Sequence, residues 1–371
     1  MEVMKMRLFC HKDRRVLVLA PLCLALFLLS GCATLGPKSI SMGRADYNEA
    51  INKTEDEQML LSIVKGRYGE TFSLLAVSGV AANVRFRTNA GVDVGIGPRE
   101  DYLGNLTPFS AGVAYEENPT ITYTPVQGEQ YLRQLLSPIP LNLLVLIIRS
   151  GTNPAAYLTM LANRINDMRN PDFLEAPTSE PDPLFQRFIE LSEELDRSGV
   201  MQLVEDPRED VPFDILITNY APAYSEKVRE YMTLLGLPVP TDESKDIVLP
   251  VYFAVKGREL GGIAISTRST FDLIEILRAA IEVPQEHASA GLAMNYPKPG
   301  LAGKNLRIHV SKDKPKRAAV AVKHSRYWFY INEADMHTKL FYVMVRTLWS
   351  VSIAAGSDQS AAPVLTIPVT R

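Results

Sequence analysis

Cysteine is scarce in this chain, and its scarcity excludes several kinds of protein. Only three cysteines occur among 371 residues, and two of them, Cys10 and Cys23, lie within the first 31 residues. The remainder contains Cys32 alone, so it cannot form an internal disulfide or a cysteine-ligated metal site. The stability of the folded chain therefore has to come from packing.

Catalytic and cofactor-binding motifs are also missing. The sequence has no G-x-S-x-G turn, no Walker A loop and no H-E-x-x-H helix. The run Gly95-Ile96-Gly97-Pro98 lacks the third glycine of a dinucleotide-binding turn. The histidines beyond the first 31 residues lack metal-ligand spacing: His287, His309, His324 and His337. We therefore name no cofactor, no metal site and no catalytic residue, and these absences favour a protein that is not an enzyme without deciding the question.

No strong excess of one charge is present. The chain has 39 Lys and Arg against 42 Asp and Glu, a net charge of −3. Without residues 1–31 the counts are 34 and 40, a net charge of −6. A mildly acidic balance of this kind argues against nucleic acid as the main partner.

Long hydrophobic runs are absent as well. The apolar stretch at residues 16–29 has about 14 residues, whereas a membrane-spanning helix needs about 20. Five basic residues precede this stretch: Lys5, Arg7, Lys12, Arg14 and Arg15. A basic region followed by a short apolar region predicts an export signal.

The export signal ends in Leu29-Ser30-Gly31-Cys32, which resembles the lipobox of bacterial lipoproteins. The resemblance implies that residues 1–31 are a lipoprotein signal peptide and that Cys32 is lipidated with fatty acids such as palmitate. Residues 32–42 would then form a tether. Ala33 stands where an Asp would resemble an inner-membrane retention signal. The implied location is therefore the outer membrane, with a lipid anchor and the body on the periplasmic face.

Strand and helix patterns alternate irregularly beyond the tether. This order predicts an α+β fold with a mixed, largely antiparallel sheet and helices packed on it. Residues 171–183 contain four prolines and little apolar content, which is typical of a linker. The linker would separate an N-terminal α+β lobe, residues 43–170, from a C-terminal α+β lobe, residues 184–371. The strands predicted within residues 71–126 either form a sheet of their own or complete the C-terminal one.

Four local patterns give sharper expectations. Thr54 and Glu57 have the spacing of a capping box at a helix start. Residues 141–148 are apolar on all sides, which favours a buried core helix. Asp182, followed by proline, is typical of a helix N-cap. Residues 327–330 place aromatic side chains on both faces of a strand, which predicts a strand covered on both sides; the alternative is an aromatic platform for a sugar or a lipid.

The charges are concentrated in two segments. Between residues 172 and 214 there are thirteen Asp and Glu against three Arg, and between residues 304 and 326 eight basic residues against one Asp. Such segments are either solvated faces or docking surfaces for a partner or for anionic lipid headgroups. The possible basic contact surface comprises Lys304, Arg307, Lys312, Lys314, Lys316, Arg317, Lys323 and Arg326.

Few side chains suggest acid–base chemistry. Glu282, Glu286 and His287 flank a proline-containing loop and have the groups that proton transfer requires. Arg67 and Tyr68 are predicted to end a helix, where the guanidinium would complement the helix dipole and the ring would pack.

Several short motifs together resemble a family of uncharacterised exported lipoproteins of Gram-negative bacteria. The resemblance implies an envelope location, and it implies no activity, cofactor or catalytic residue. The motifs are Arg44-x-x-Tyr47-Asn48-x-Ala50, Leu60-Leu61-x-Ile63-Val64-x-x-Arg67-Tyr68, Ile121-x-Tyr123-x-Pro125-x-x-Gly128, Pro138-Ile139-Pro140, Trp328-Phe329-Tyr330-Ile331 with Asp335, and Pro363-Val364-Leu365-Thr366-Ile367-Pro368.

Taken together, these patterns favour a membrane-anchored envelope lipoprotein that is a structural or interaction component. Its expected partners are the membrane, through the N-terminal lipid, and an envelope protein of unknown identity. One alternative is an envelope glycan or peptide hydrolase with a site assembled from distant residues. The other is a protein that binds anionic lipid or glycolipid through residues 304–326.

Overall fold

The computed structural model describes eight parts of the chain. They are residues 35–71, 74–92, 109–126, 129–150, 153–205, 213–253, 261–357 and 365–368. The internal contacts divide the chain into two compact units, residues 1–56 and residues 57–371. The boundary at residue 56 falls inside the predicted N-terminal lobe, and the rest of that lobe belongs to the second unit together with the predicted C-terminal lobe.

The elements follow one another in an irregular order. The helices are α1 (Leu35–Arg67), α2 (Glu129–Leu136), α3 (Leu141–Ser150), α4 (Pro154–Leu161), α5 (Pro183–Arg197), α6 (Ser225–Leu235), α7 (Thr270–Ala279), α8 (Gln285–Ser289) and α9 (Met336–Ser357), with a 3₁₀ turn at Leu301–Gly303. The strands are β1 (Leu74–Val92), β2 (Phe109–Val126), β3 (Ala162–Ile165), β4 (Met168–Arg169), β5 (Met201–Glu205), β6 (Phe213–Ile217), β7 (Ile247–Phe253), β8 (Ile263–Thr267), β9 (His309–Ser311), β10 (Ala318–His324), β11 (Tyr327–Asn332) and β12 (Leu365–Pro368).

The largest sheet has six strands in the order β4-β3-β8-β7-β6-β5. Only β7 and β8 run parallel, and the other neighbours are antiparallel. The α+β prediction with a mixed, largely antiparallel sheet is therefore confirmed. Strands β3 and β4 precede residues 171–183 and strands β5 to β8 follow them, so one sheet contains strands from both sides of the predicted linker.

Two three-stranded sheets complete the described β-structure. In one, β1 and β2 form a long antiparallel ribbon, and β12 pairs with β2. The strands predicted within residues 71–126 therefore form a sheet of their own, joined by a strand from the C-terminal end. In the other sheet the order is β10-β11-β9, again antiparallel.

The hairpin between β10 and β11 turns at Ser325 and Arg326. Both residues have positive φ, 44° and 71°, which is the backbone of a type I′ turn. Neither residue is the Asn or Gly that this conformation favours. The right-handed twist of the strands selects the I′ backbone even without the preferred residues.

One hydrophobic core joins the described helices to the six-stranded sheet and to the β10-β11-β9 sheet. It includes side chains from both ends of the sequence, such as Leu60 of α1, Phe185 of α5, Leu277 of α7, Phe329 of β11 and Phe341 of α9. Burial of these apolar surfaces supplies the main stabilising free energy, since the body has no disulfide.

Helix starts have side-chain caps in two places, and the cap at Asp182 was predicted. The Asp182 carboxylate accepts a hydrogen bond from the Leu184 amide, and Pro183 occupies the first position of α5. Ser269 and Asp272 form a reciprocal capping box at the start of α7. Both arrangements satisfy amide groups that have no partner within the helix.

Two local predictions were wrong. Thr54 lies inside α1, where its hydroxyl donates to the Ile51 carbonyl, so it is not an N-cap. The helix begins at Leu35, within the predicted tether, because a proline is tolerated in the first helical turn. The apolar helix α3 is only partly buried: Leu144 is fully buried, whereas Leu146 is 63% exposed.

A buried guanidinium fixes the end of α4 to the six-stranded sheet. Arg268, with no exposed surface, donates to the carbonyls of Met160 and Ala162 at 2.9 and 2.8 Å. It also donates to the Asn170 carbonyl and forms an ion pair with Asp172. Burial lowers the pKa of Arg268, and the Asp172 carboxylate opposes that effect. These bonds hold α4 in a fixed position.

Among the described residues, no helix combines the length and the apolar character needed to cross a membrane.

Candidate functional site

The eight basic residues between positions 304 and 326 are all exposed. Within the part of the chain that the structure describes, none of them forms an ion pair. Their positive charges are therefore available to an external anion. They occupy three places, which are the 3₁₀ turn and the segment after it, the loop between β9 and β10, and the β10–β11 hairpin.

Four of the eight lie near Trp328 by contact, by strand pairing or by position along the chain. Strand pairing places Lys323 directly opposite Trp328 on one side and Ser311 on the other, with Lys312 next along the chain. The Lys314 ammonium lies 5.4 Å from the centre of the Trp328 ring, a cation–π distance. We call Trp328, Lys312, Lys314, Lys323 and Arg326 the tryptophan patch.

Lys304, Arg307, Lys316 and Arg317 lie outside the tryptophan patch. Lys304 and Arg307 precede β9, and Lys316 and Arg317 lead into the start of β10, which pairs with the far end of β11 at Asn332. The sequence predicted the eight basic residues as one contact surface. The fold divides them into four that belong to the tryptophan patch and four that lie outside it.

The aromatic strand β11 is buried on one face and half-buried on the other. Tyr327, Phe329 and Ile331 are buried against the core. Trp328 and Tyr330 are half-buried on the opposite face. The prediction that both faces are covered was therefore wrong in part, because the outer face is only partly buried. The outer face has the partly exposed aromatic surface that a platform for a sugar or a lipid would require.

The acidic segment, residues 172–214, differs from the basic segment, residues 304–326, because many of its carboxylates already have partners. This difference matters for docking, since a paired charge has less to gain from a new partner. The ion pairs are Asp172 with Arg268, Glu180 with Lys298, Glu190 with Arg187, Glu193 with Arg197, Glu194 with Lys227 and Glu205 with Arg149.

A second cluster of polar aromatic groups lies at the inner face of the hairpin. The Tyr68 hydroxyl is 2.8 Å from Nδ1 of His287. The ring of His324 packs 4.9 Å from the Tyr68 ring, and its Nε2 is 3.0 Å from Glu70. Burial raises the pKa of Tyr68 to about 12. Tyr68 therefore holds the end of α1 to α8 and β10 as a neutral hydrogen-bonding group.

Arg67, next to Tyr68, is more buried than a helix-end charge should be. It is 9% exposed, and its guanidinium lies 4.6 Å from the centre of the Tyr296 ring. Burial lowers the pKa of Arg67. The Tyr296 hydroxyl donates to Glu275 at 2.8 Å, and burial raises the pKa of Tyr296 to about 12. The role predicted from the helix dipole was incomplete, because the cation is stabilised mainly by an aromatic face.

The three residues suggested for acid–base chemistry have different partners. Glu282 pairs with His309 at 3.2 Å, Glu286 accepts a hydrogen bond from Tyr327, and His287 contacts Tyr68. The fold brings Glu286 and His287 within 3.9 Å of each other, whereas Glu282 has its own partner in His309. No group of three or more potential ligands for a metal ion occurs among the residues that the structure describes.

Cys32, the predicted lipidation site, lies outside the described residues. Comparison with protein-family models, curated proteins and solved structures finds no match for the chain. The resemblance to exported lipoproteins therefore stays a prediction that depends on the motifs themselves.

Part of the tryptophan patch had a signal in the sequence. Once a turn is placed at residues 325–326, Lys323 and Trp328 have to face each other on one side of the hairpin. The position of Lys314 had no such signal, because it depends on the path of an irregular loop. The Tyr68–His287 contact joins residues far apart in sequence and could not be found from a local pattern.

Proposed function

We propose that the protein is a lipid-anchored component of the bacterial envelope whose tryptophan patch binds the anionic headgroups of a membrane. The single observation that carries this proposal is the set of exposed, unpaired cations around a half-buried tryptophan. The anchor would be a lipid on Cys32 in the outer membrane, with the body on the periplasmic face and an envelope protein as a further partner.

The chemistry of the tryptophan patch suits a lipid headgroup layer. Indole rings favour the boundary between water and hydrocarbon, because one part of the ring is apolar and the N–H is polar. Each Lys or Arg near an anionic surface contributes about 1 kcal/mol, and this contribution weakens as salt increases. A patch with four cations and one tryptophan therefore binds weakly alone and orients the body once a lipid anchor holds it near the surface.

Vesicle binding tests the proposal. The protein lacking residues 1–32 is mixed with vesicles of mixed phosphatidylglycerol and phosphatidylcholine, and the bound fraction is measured by sedimentation at low and high salt. We expect binding at low salt that decreases with salt. The variant with Lys312, Lys314, Lys323 and Arg326 each changed to Gln should lose most of it.

A matched variant distinguishes an effect of the tryptophan patch on vesicle binding from an effect of the protein's net charge. Changing Lys304, Arg307, Lys316 and Arg317 to Gln removes the same number of charges from the same segment. This control should retain most of the binding. Equal losses in both variants, or binding that is insensitive to salt, would contradict the tryptophan patch as the contact surface.

Tryptophan fluorescence gives an independent readout because the chain has two tryptophans. Trp349 is buried and donates its indole N–H to the Tyr131 hydroxyl at 2.9 Å. A blue shift of the emission on vesicle binding should therefore come from Trp328. It should persist in a Trp349→Phe variant and disappear in a Trp328→Phe variant.

A further inference from the structure

A pocket lies between α4, α5 and the 3₁₀ turn, apart from the tryptophan patch. Its volume is about 380 Å³, within the range of small-molecule sites. Its apolar lining comes from Ala155, Ala156 and Met160 of α4, Ile189 of α5, and Ala302. This lining suits a compact apolar group of a few carbon atoms.

The polar lining of the pocket has one acidic wall and one basic wall. Glu190 and Glu193 lie on the same side of α5, three residues apart. Lys304, after the 3₁₀ turn, and His337, in the first turn of α9, also line the pocket. Glu190 and Glu193 pair with Arg187 and Arg197 of the same helix, and such exposed pairs contribute little. Among the described residues, no ion pair joins either carboxylate to Lys304 or His337.

The walls of the pocket are held in place by the rest of the fold. The Asn153 side chain caps the start of α4, and Arg268 binds the carbonyls at its end. A Cβ atom on Gly303 would lie 2.9 Å from Pro299 and 3.0 Å from Ile276. Only glycine therefore allows the 3₁₀ turn to pack so closely on α7. A preformed site of this kind loses little entropy when a ligand binds.

We infer that this pocket binds a small zwitterion with an apolar body, of the class of free amino acids and dipeptides. The ligand ammonium would face Glu190 and Glu193, and the ligand carboxylate would face Lys304. The methyl or methylene groups would contact Ala156, Met160 and Ile189. A ligand with only one charge would interact with Lys304 or with the two carboxylates, but not with both.

Calorimetric titration of the full-length protein with L-alanyl-L-alanine tests the inference. We expect saturable binding to one site. The N-acetylated dipeptide loses the ammonium and the C-terminal amide loses the carboxylate, so each should bind about tenfold or more weakly, as expected for loss of a charged hydrogen bond.

Variants assign the binding to the pocket. Lys304→Met should weaken binding of the free dipeptide about tenfold and should abolish the preference over the amide. Glu190→Gln combined with Glu193→Gln should abolish the preference over the N-acetylated form. Ala156→Leu should fill the space and remove binding, with an unchanged near-UV circular dichroism spectrum.

Control variants change the same residue types elsewhere. Lys316→Met and Glu226→Gln lie outside the pocket and should leave the affinity unchanged. The absence of saturable binding, or equal affinity in wild type and Lys304→Met, would overturn the inference. If only the carboxylate were required, the ligand would be an anion and the zwitterion class would be wrong. None of these results depends on vesicle binding by the tryptophan patch.

Discussion

Arg268 shows how a single charge can organise a region of the fold. A buried guanidinium without partners would cost several kcal/mol, and here every side of it has an acceptor. Three backbone carbonyls near the end of α4, the Asn170 carbonyl and the Asp172 carboxylate accept its hydrogen bonds. The bonds that satisfy the charge also connect a helix end, a loop and a strand end.

Replacement of Arg268 by Met should strongly destabilise the protein. The apolar side chain leaves the Asp172 carboxylate and several buried carbonyls without donors, so we expect a loss of about 3–5 kcal/mol in the free energy of unfolding. Chemical denaturation measures this loss. Arg133→Met is the control, because Arg133 forms an exposed pair with Glu129 one turn away and should matter far less. A similar small loss in both variants would show that the Arg268 bonds are not important for stability.

The raised pKa of Tyr68 predicts that the protein loses stability at alkaline pH. Burial raises its pKa from the ordinary 10.0 to about 12, so the folded state favours the neutral phenol. The resulting stabilisation is complete below about pH 10 and is lost as the pH rises through about 12. Tyr68→Phe should therefore reduce the pH dependence of the unfolding free energy in this window.

Denaturation curves at several alkaline pH values test this effect. Tyr296, whose pKa is also raised to about 12, should give a comparable reduction when changed to Phe, and the double variant should lose more of the slope than either single one. An unchanged slope in Tyr68→Phe would show that the phenol is not held neutral by the fold.

Residue-scale features were the hardest to predict. Arg268 looks like an ordinary polar residue between a strand and a helix, because its acceptors come from residues about a hundred positions away. Ser269, next to it, was predictable as a cap, since its partner Asp272 lies three residues further on. The difference is the sequence distance to the partner.

Secondary-structure elements were predicted better because their patterns are local. The helix Ser225–Leu235 and the strands β5 to β8 lie where apolar residues recur with helical or strand periodicity. The exposed side of α3 was missed. An all-apolar helix carries no periodic signal that indicates which side faces solvent.

The β10–β11 turn gives a prediction at the scale of the element. Ser325 has a φ of 44°, a conformation that Asn accepts more easily than Ser and that β-branched residues resist. Ser325→Asn should raise the unfolding free energy by a few tenths of a kcal/mol, and Ser325→Val should lower it by about 1–3 kcal/mol. Thermal unfolding measures both changes.

A position on the neighbouring strand controls for β propensity. Ala319→Val changes an exposed strand residue of β10 to the same β-branched residue without a positive φ, and it should not destabilise the protein. If Ser325→Val were as stable as the wild type, the I′ turn would not be the conformation that the hairpin requires.

At the scale of the whole molecule, the order of the elements was enough to predict the fold class. It was not enough to predict which distant strands pair with each other. Four prolines in residues 171–183 indicated a linker, yet β3 joins the same sheet as β8 across that segment. Proline content reports a local break in secondary structure. It does not report whether the chain on either side returns to the same sheet.

The proposed anchor gives a prediction for the whole protein in its cell. Metabolic labelling with radioactive palmitate should mark the wild type, and Cys32→Ala should lose the label and the shift in gel mobility caused by signal removal. Changing Cys10 and Cys23 together to Ala should retain the label, because neither follows a lipobox. Label that persists in Cys32→Ala would contradict the lipoprotein assignment.

The pairing of β12 with β2 has a consequence for the order in which the chain can fold. Leu365 pairs with Tyr123, so this sheet gains its third strand only after nearly all of the polypeptide has been synthesised. Contacts between positions so distant close a large loop and form slowly. Until then the free side of β2 presents unpaired backbone groups, which attract other strands. A chain that emerges from an export channel would therefore need this edge to be protected until its last residues arrive.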